Sequence, residues 1–146
     1  MKILLSAQAF DPWREIVQHQ SEQPGLWAKY GATAVFVGTL RDFNQGATVQ
    51  AMTLEHYAPM TQKHLERIVQ EAAARQAVED ILVVHRYGEL HPNEPIVLVA
   101  VWSAHRDAAF VACRYIIDEL KTRAPFWKQE AIEGGRRWVA PEASES

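Results

Sequence analysis

The run from Ser103 to Lys128, SAHRDAAFVACRYIIDELKTRAPFWK, constrains the fold more than any other stretch, because it reads as one long helix with basic residues at both ends. Ala109, Cys113, Ile116, Ile117 and Leu120 recur three and four positions apart, which is one face of a helix and must be buried against another layer. Ser103 can cap that helix, which puts His105 and Arg106 in its first turn, where unpaired amides favour anions; the basic pair is a candidate phosphate site. At the other end come Lys121 and Arg123. Pro125 stops the helix through its ring and missing N–H, and Phe126, Trp127 and Lys128 follow as an aromatic turn between two lysines. Cations at a helix C-terminus also stabilise the macrodipole, and Lys121 alone reads that way. Its aromatic neighbours point instead to a partly desolvated pocket, where a lysine can lose its proton near neutral pH and act as nucleophile, base or proton donor.

The chain has 146 residues, enough for one domain with one core, expected over 1–140, and the tail 141–146 (PEASES) should fray. Its net charge of -3, with 48% hydrophobic and 23% charged residues, offers no global attraction to nucleic acid or anionic membrane, so any anion site must be local. The single cysteine, Cys113, falls on the apolar helix face and reads as a small core residue, in keeping with a reducing cytoplasm. The N-terminal MKILLSAQAF lacks a signal-peptide cleavage pattern and reads as an edge strand.

Asp11 should cap a short helix with Pro12 at its first position, fading near His19, followed by a polar loop over 20–25. Ala32–Leu40 and Thr48–Tyr57 read as strands joined into a long hairpin by RDFNQGA, with Arg41 where the first strand ends. Thr61 should cap a helix that buries Leu65, Ile68, Val69 and Ala72 and turns Lys63, Glu66, Arg67 and Glu71 to water. Two strands apolar on both faces, Ile81–Tyr87 and Ile96–Trp102, flank GELHPNEP, and Gly134-Gly135 reads as a turn into a last strand around WVA. These elements indicate an α+β fold, with helices packed on a largely antiparallel sheet.

His85, Glu89 and His91 are close in sequence, but no HExxH, CxxC or comparable ligand spacing is present, so no metal is expected. His56 alternates in phase with Met52 and Leu54 and reads as a hydrogen-bonded core histidine. P-loop, GxGxxG and GxSxG motifs are absent.

The chain resembles, over nearly its whole length, the family of large, catalytic molybdopterin synthase subunits (the MoaE family). The resemblance is most specific in LEHYAPM (54–60), HRYGEL (85–90), SAHR (103–106) and LKTRAPFWK (120–128). It implies an α/β hammerhead fold, a homodimer of this chain, and a heterotetramer with two copies of a small ubiquitin-like sulfur-carrier subunit. That subunit's C-terminal Gly-Gly thiocarboxylate would deliver sulfur, twice in turn, to the small-molecule substrate cyclic pyranopterin monophosphate, giving a dithiolene. No cofactor is implied, nor any nucleic acid or membrane partner. By the same resemblance Lys121 and Lys128 match the catalytic lysines, Arg41, His105 and Arg106 match residues that bind the pterin phosphate, and Gln129 and Glu130 adjoin the pocket. Thr39 and Leu40 belong to the strand-end motif Gly38-Thr39-Leu40-Arg41, and Thr39 stands where many relatives carry lysine, which should weaken a phosphate contact there.

Helix geometry adds a condition. His105 and Lys121 are sixteen positions apart on one helix, so at 1.5 Å per residue they should lie roughly 24 Å apart. One small pterin cannot touch both. A pocket composed of His105 and Arg106 from one protomer and Lys121 and Lys128 from its two-fold mate would resolve this. The rival reading is a non-catalytic phosphate-binding or adaptor module using the same cations.

Overall fold

In the computed structural model, residues 1–44, 46–56, 58–123 and 126–139 are described. Two sheets meet at a shared apolar seam. The first has the order β1-β5-β7-β2, built from β1 (Lys2–Ser6), β2 (Ala32–Thr39), β5 (Asp80–Arg86) and β7 (Pro95–Ser103). Its pairings are antiparallel except β1 with β5, which is parallel and leaves the N-terminal strand at the edge, as expected. The inner strands β5 and β7 read as unbroken apolar runs because both their faces are covered. On one face lie α2 (Ala58–Arg75) and α3 (Arg106–Arg123), which bury Leu65, Ile68, Ala72, Ala112 and Ile116 over Ile81, Val83, Val99 and Val101. On the other face, α1 (Pro12–Glu22) and the 3-10 turn Pro24–Leu26 cover Leu82, Val84, Leu98, Ala100 and Trp102. Full burial of a side chain such as Ile116 stabilises the fold by roughly 1.5–3 kcal/mol.

The second sheet contains β3 (Phe43–Asn44), β4 (Ala47–Glu55), β8 (Trp127–Ile132) and β9 (Gly135–Val139), with β6 (Gly88–Leu90) also paired to β4. The two-residue turn between β8 and β9 uses Gly134 at φ +88, where a side chain would be strained. Leu40, Val49, Met52, Leu54, Leu90 and Phe126 fill the seam between the sheets.

Several sequence expectations are corrected. The strands 32–40 and 48–57 do not form a long hairpin: β2 pairs with β7, while β4 pairs with β8 in the other sheet. The backbone of Leu40 is taken by a neighbouring turn, its N–H donating to Glu94 O at 3.0 Å and its carbonyl accepting from Asn93 N at 2.8 Å, so the chain leaves the first sheet there. Only Phe43 and Asn44 fold back, onto Thr48 and Ala47. Ser103 is the last residue of β7 and no helix cap; its hydroxyl accepts from His105 N at 3.2 Å and donates to His105 O at 2.8 Å, tightening the turn before α3. Gly31 makes that turn possible, since a Cβ there would lie 2.6 Å from Ala104 O. Thr61 lies inside α2, buried, and faces His56 at 3.1 Å. The helix capped by Asp11 runs on to Glu22, past His19, whose Nε2 is 2.7 Å from Asp80 within the core. Residues 127 and 128, expected in a turn, open β8. The expected break at Pro125 and the frayed tail 141–146 fall outside the described residues. Among the described residues no helix is long and apolar enough to cross a membrane.

Candidate active site

A cleft of about 430 Å³ opens where the end of β2, the last turn of α3 and the start of β8 converge. Three of its walls carry cations. Arg41 follows β2, Lys121 projects from the last turn of α3, and Lys128 is the second residue of β8. The apolar stripe of α3 fixes the rotation of Lys121, because burying Ile117 and Leu120 turns the next position towards the cleft. The end of α3 is tied down separately. Arg123 bonds Glu119 at 2.8 Å and also Glu71 of α2, which in turn accepts from Tyr115 at 3.1 Å. Arg123 therefore serves packing, and its guanidinium holds the Glu71 carboxyl below its ordinary range.

Strand alternation sorts the residues of β8. Lys128 and Glu130 face the cleft, whereas Gln129 points to the opposite side, where its Oε1 accepts from Arg136 at 3.1 Å. Gln129, expected beside the pocket, is thus separated from it by the sheet. Glu130 is 2% exposed, and both its oxygens are engaged: Oε1 with Arg137 at 3.0 Å and Oε2 with Asn44 at 2.8 Å. Arg137 also bonds the Asn44 carbonyl. A buried carboxylate thereby clamps β3, β8 and β9 together and sets the spacing between the Arg41 side and the Lys128 side of the cleft. Thr39 and Leu40 line the cleft beside Arg41, Leu40 as part of the apolar seam. His105 and Arg106 do not line it; they are exposed at the start of α3, and the helix runs unbroken from there to Arg123, which keeps them roughly 24 Å from Lys121 within one chain.

In the sequence His85 stands out only as a candidate metal ligand. In the fold it lines the cleft, stacked on Phe126 with ring centroids 4.0 Å apart, and its Nδ1–H donates to the Arg86 carbonyl at 2.9 Å. Burial, with the nearby Lys128 and His56 charges, depresses its pKa to about 4, so a neutral imidazole lies under the lysines. A strand buried on both faces gives no period that singles out this position; only its neighbourhood in space reveals it. His56 is hydrogen-bonded, as expected, and packs edge-on against Tyr87 at 4.4 Å, with burial lowering its pKa. His91 is exposed and faces Glu89 and Glu94, and among the described residues no cluster of His, Cys, Asp or Glu is placed to hold a metal. Cys113 is buried as anticipated, its thiol pushed up to about 11 by burial and hence unreactive.

Because His85 is neutral when folded and titrates at its ordinary value when unfolded, the unfolded chain binds the extra proton as pH falls from about 6.5 to 4. Stability should decline across that window by about 3 kcal/mol. NMR titration of the His85 ring should show a midpoint near 4; a midpoint of 6 or above would contradict the buried neutral assignment.

An α+β scaffold whose cleft presents three cations over an aromatic floor defines a site for an anionic small molecule. The comparisons specify the family. The profile described as MoaE protein matches residues 6–123. The chain is 46% identical to the molybdopterin synthase catalytic subunit of Pseudomonas aeruginosa, over 99% of this chain and 94% of that one, and 53% identical to that of Escherichia coli, over 80% and 76%. Among solved structures it is similar to the molybdopterin biosynthesis MoaE protein of Burkholderia ambifaria, with 42% identity, TM-score 0.80 and 99% and 92% of the two chains covered. It is also similar to molybdopterin synthase of Staphylococcus aureus, with 29% identity, TM-score 0.82 and 94% and 96% covered. The chain belongs to the MoaE family, the catalytic subunits of molybdopterin synthase, sulfurtransferases of molybdenum cofactor biosynthesis.

Proposed function

We propose that this chain, in the cytoplasm, moves sulfur from the C-terminal thiocarboxylate of a small ubiquitin-like subunit onto cyclic pyranopterin monophosphate, in two rounds that give the dithiolene. The observation that carries this reading is the convergence of Arg41, Lys121 and Lys128 on one cleft. Fixed positive charge there favours both the substrate phosphate and the incoming thiocarboxylate, and two amines can pass protons as the cyclic phosphate opens and sulfur adds to carbon. A Gly-Gly tail suits a narrow approach because its backbone can lie close to the cleft wall. A Helicobacter pylori complex of subunits 1 and 2 of molybdopterin-converting factor has a similar fold, with 20% identity and TM-score 0.77, and motivates the same kind of partner here.

The active unit in this reading is a homodimer carrying two small subunits. A shallow apolar groove lined by Val35, Phe110, Cys113 and Ile117, with Phe110 65% exposed, is the surface for the two-fold mate. Cys113 lies midway between His105 and Lys121. Two copies of α3 crossing antiparallel there would bring His105 and Arg106 of one protomer to Lys121 and Lys128 of the other. Lys121 borders both the groove and the cleft, so the mate would complete the cleft from that side.

Reconstitution with the thiocarboxylated small subunit and the pterin precursor tests the reaction. Dithiolene product is expected with the intact partner and none with a partner lacking its last two residues; product formation that survives the truncation would overturn the tail-delivery reading.

A further inference from the structure

Phe43 is 54% exposed and yet lines the cleft, two residues beyond Arg41. Its position is not that of a loose loop. The backbone of β3 pairs with β4, and the Val49 amide donates to Asp42 O at 2.8 Å. The next residue, Asn44, is held through its side chain by buried Glu130 and through its carbonyl by Arg137. An ion pair whose carboxylate is buried thus anchors the residue next to this ring, which stays at the cleft. The other aromatic groups of the cleft are committed elsewhere: Phe126 is 7% exposed and stacked on His85, and Phe36 packs against the first core. Among the described lining residues, Phe43 is the aromatic ring that remains mostly exposed.

Resting on the reaction proposed above, we propose that Phe43 is a specificity-determining residue, the platform on which the flat pyrimidine end of the pterin lies while the cations hold its phosphate. A ligand that is planar at one end and anionic at the other satisfies both features of the cleft, whereas a simple phosphate satisfies only the cations. Contact with a ring that stays put throughout the reaction is uniform binding, which changes KM and leaves kcat alone.

The test is steady-state kinetics of the reconstituted complex with cyclic pyranopterin monophosphate, with small-subunit affinity measured separately. Phe43→Ala should raise KM for the pterin by about 5–20-fold, with kcat and partner affinity within about twofold of wild type. Phe43→Trp should restore or improve KM, and Phe43→Leu should fall between. An unchanged KM in Phe43→Ala, or a loss confined to partner affinity, would overturn the platform while leaving the reaction standing. Failure of the wild-type complex to bind the pterin at all would sink the reaction itself, and the platform with it.

Discussion

Lys121→Ala is expected to lower single-turnover sulfur transfer by about 10²–10⁴-fold, the range general acid–base groups contribute, without unfolding the protein. The side chain is exposed at the end of α3, while that end is secured by Ile117, Leu120 and the Arg123–Glu71 pair, none of which the substitution touches. Circular dichroism and small-subunit binding should therefore match wild type. Lys121→Arg separates two roles. Arginine keeps the charge but does not deprotonate at any working pH, so retained activity would assign Lys121 to electrostatic stabilisation, and lost activity to proton transfer or nucleophilic attack. Lys128→Ala should also be damaging, though less so. Wild-type turnover by either alanine variant with saturating partner would show that lysine to be a helix or strand terminus feature and nothing more.

Much of the scaffold is legible in the sequence. The two-face apolar character of 81–87 and 96–102 correctly announced covered central strands, and the three-and-four spacing of α3 correctly announced its buried face. The assignment of strands to sheets is a different matter. A turn-rich segment such as RDFNQGA looks the same whether it closes a hairpin or carries the chain from one sheet to another, and what decides is the distant Asn93-Glu94 turn that captures Leu40. The three residues of β6 are too few for a period of two to emerge. In the site, Lys121, Lys128 and Arg41 were visible because basic residues at element ends stand out, and the family resemblance gave them roles. His85, Phe43 and the Arg137–Glu130–Asn44 clamp were not, because each depends on contacts between segments from roughly forty to more than ninety positions apart. The placement of Gln129 shows the converse limit. The family resemblance implies that Gln129 adjoins the pocket with Glu130, and strand alternation turns its side chain to the other face of β8.

The unbroken α3 makes the second large effect a property of pairs of chains. His105→Ala and Lys121→Ala proteins are each expected to be inactive, so a site contained in one chain has no route to recovery when they are mixed. A composite site has one. Each heterodimer would hold one pocket with both defects and one pocket with none, and after random exchange about a quarter of all pockets would be intact. The decisive measurement is dithiolene formation by such a mixture, with subunit exchange verified independently by mass spectrometry of differently tagged chains. Recovery to about a quarter of wild-type activity is the result predicted by a site shared across the two-fold axis; complete exchange with no recovery would contradict it.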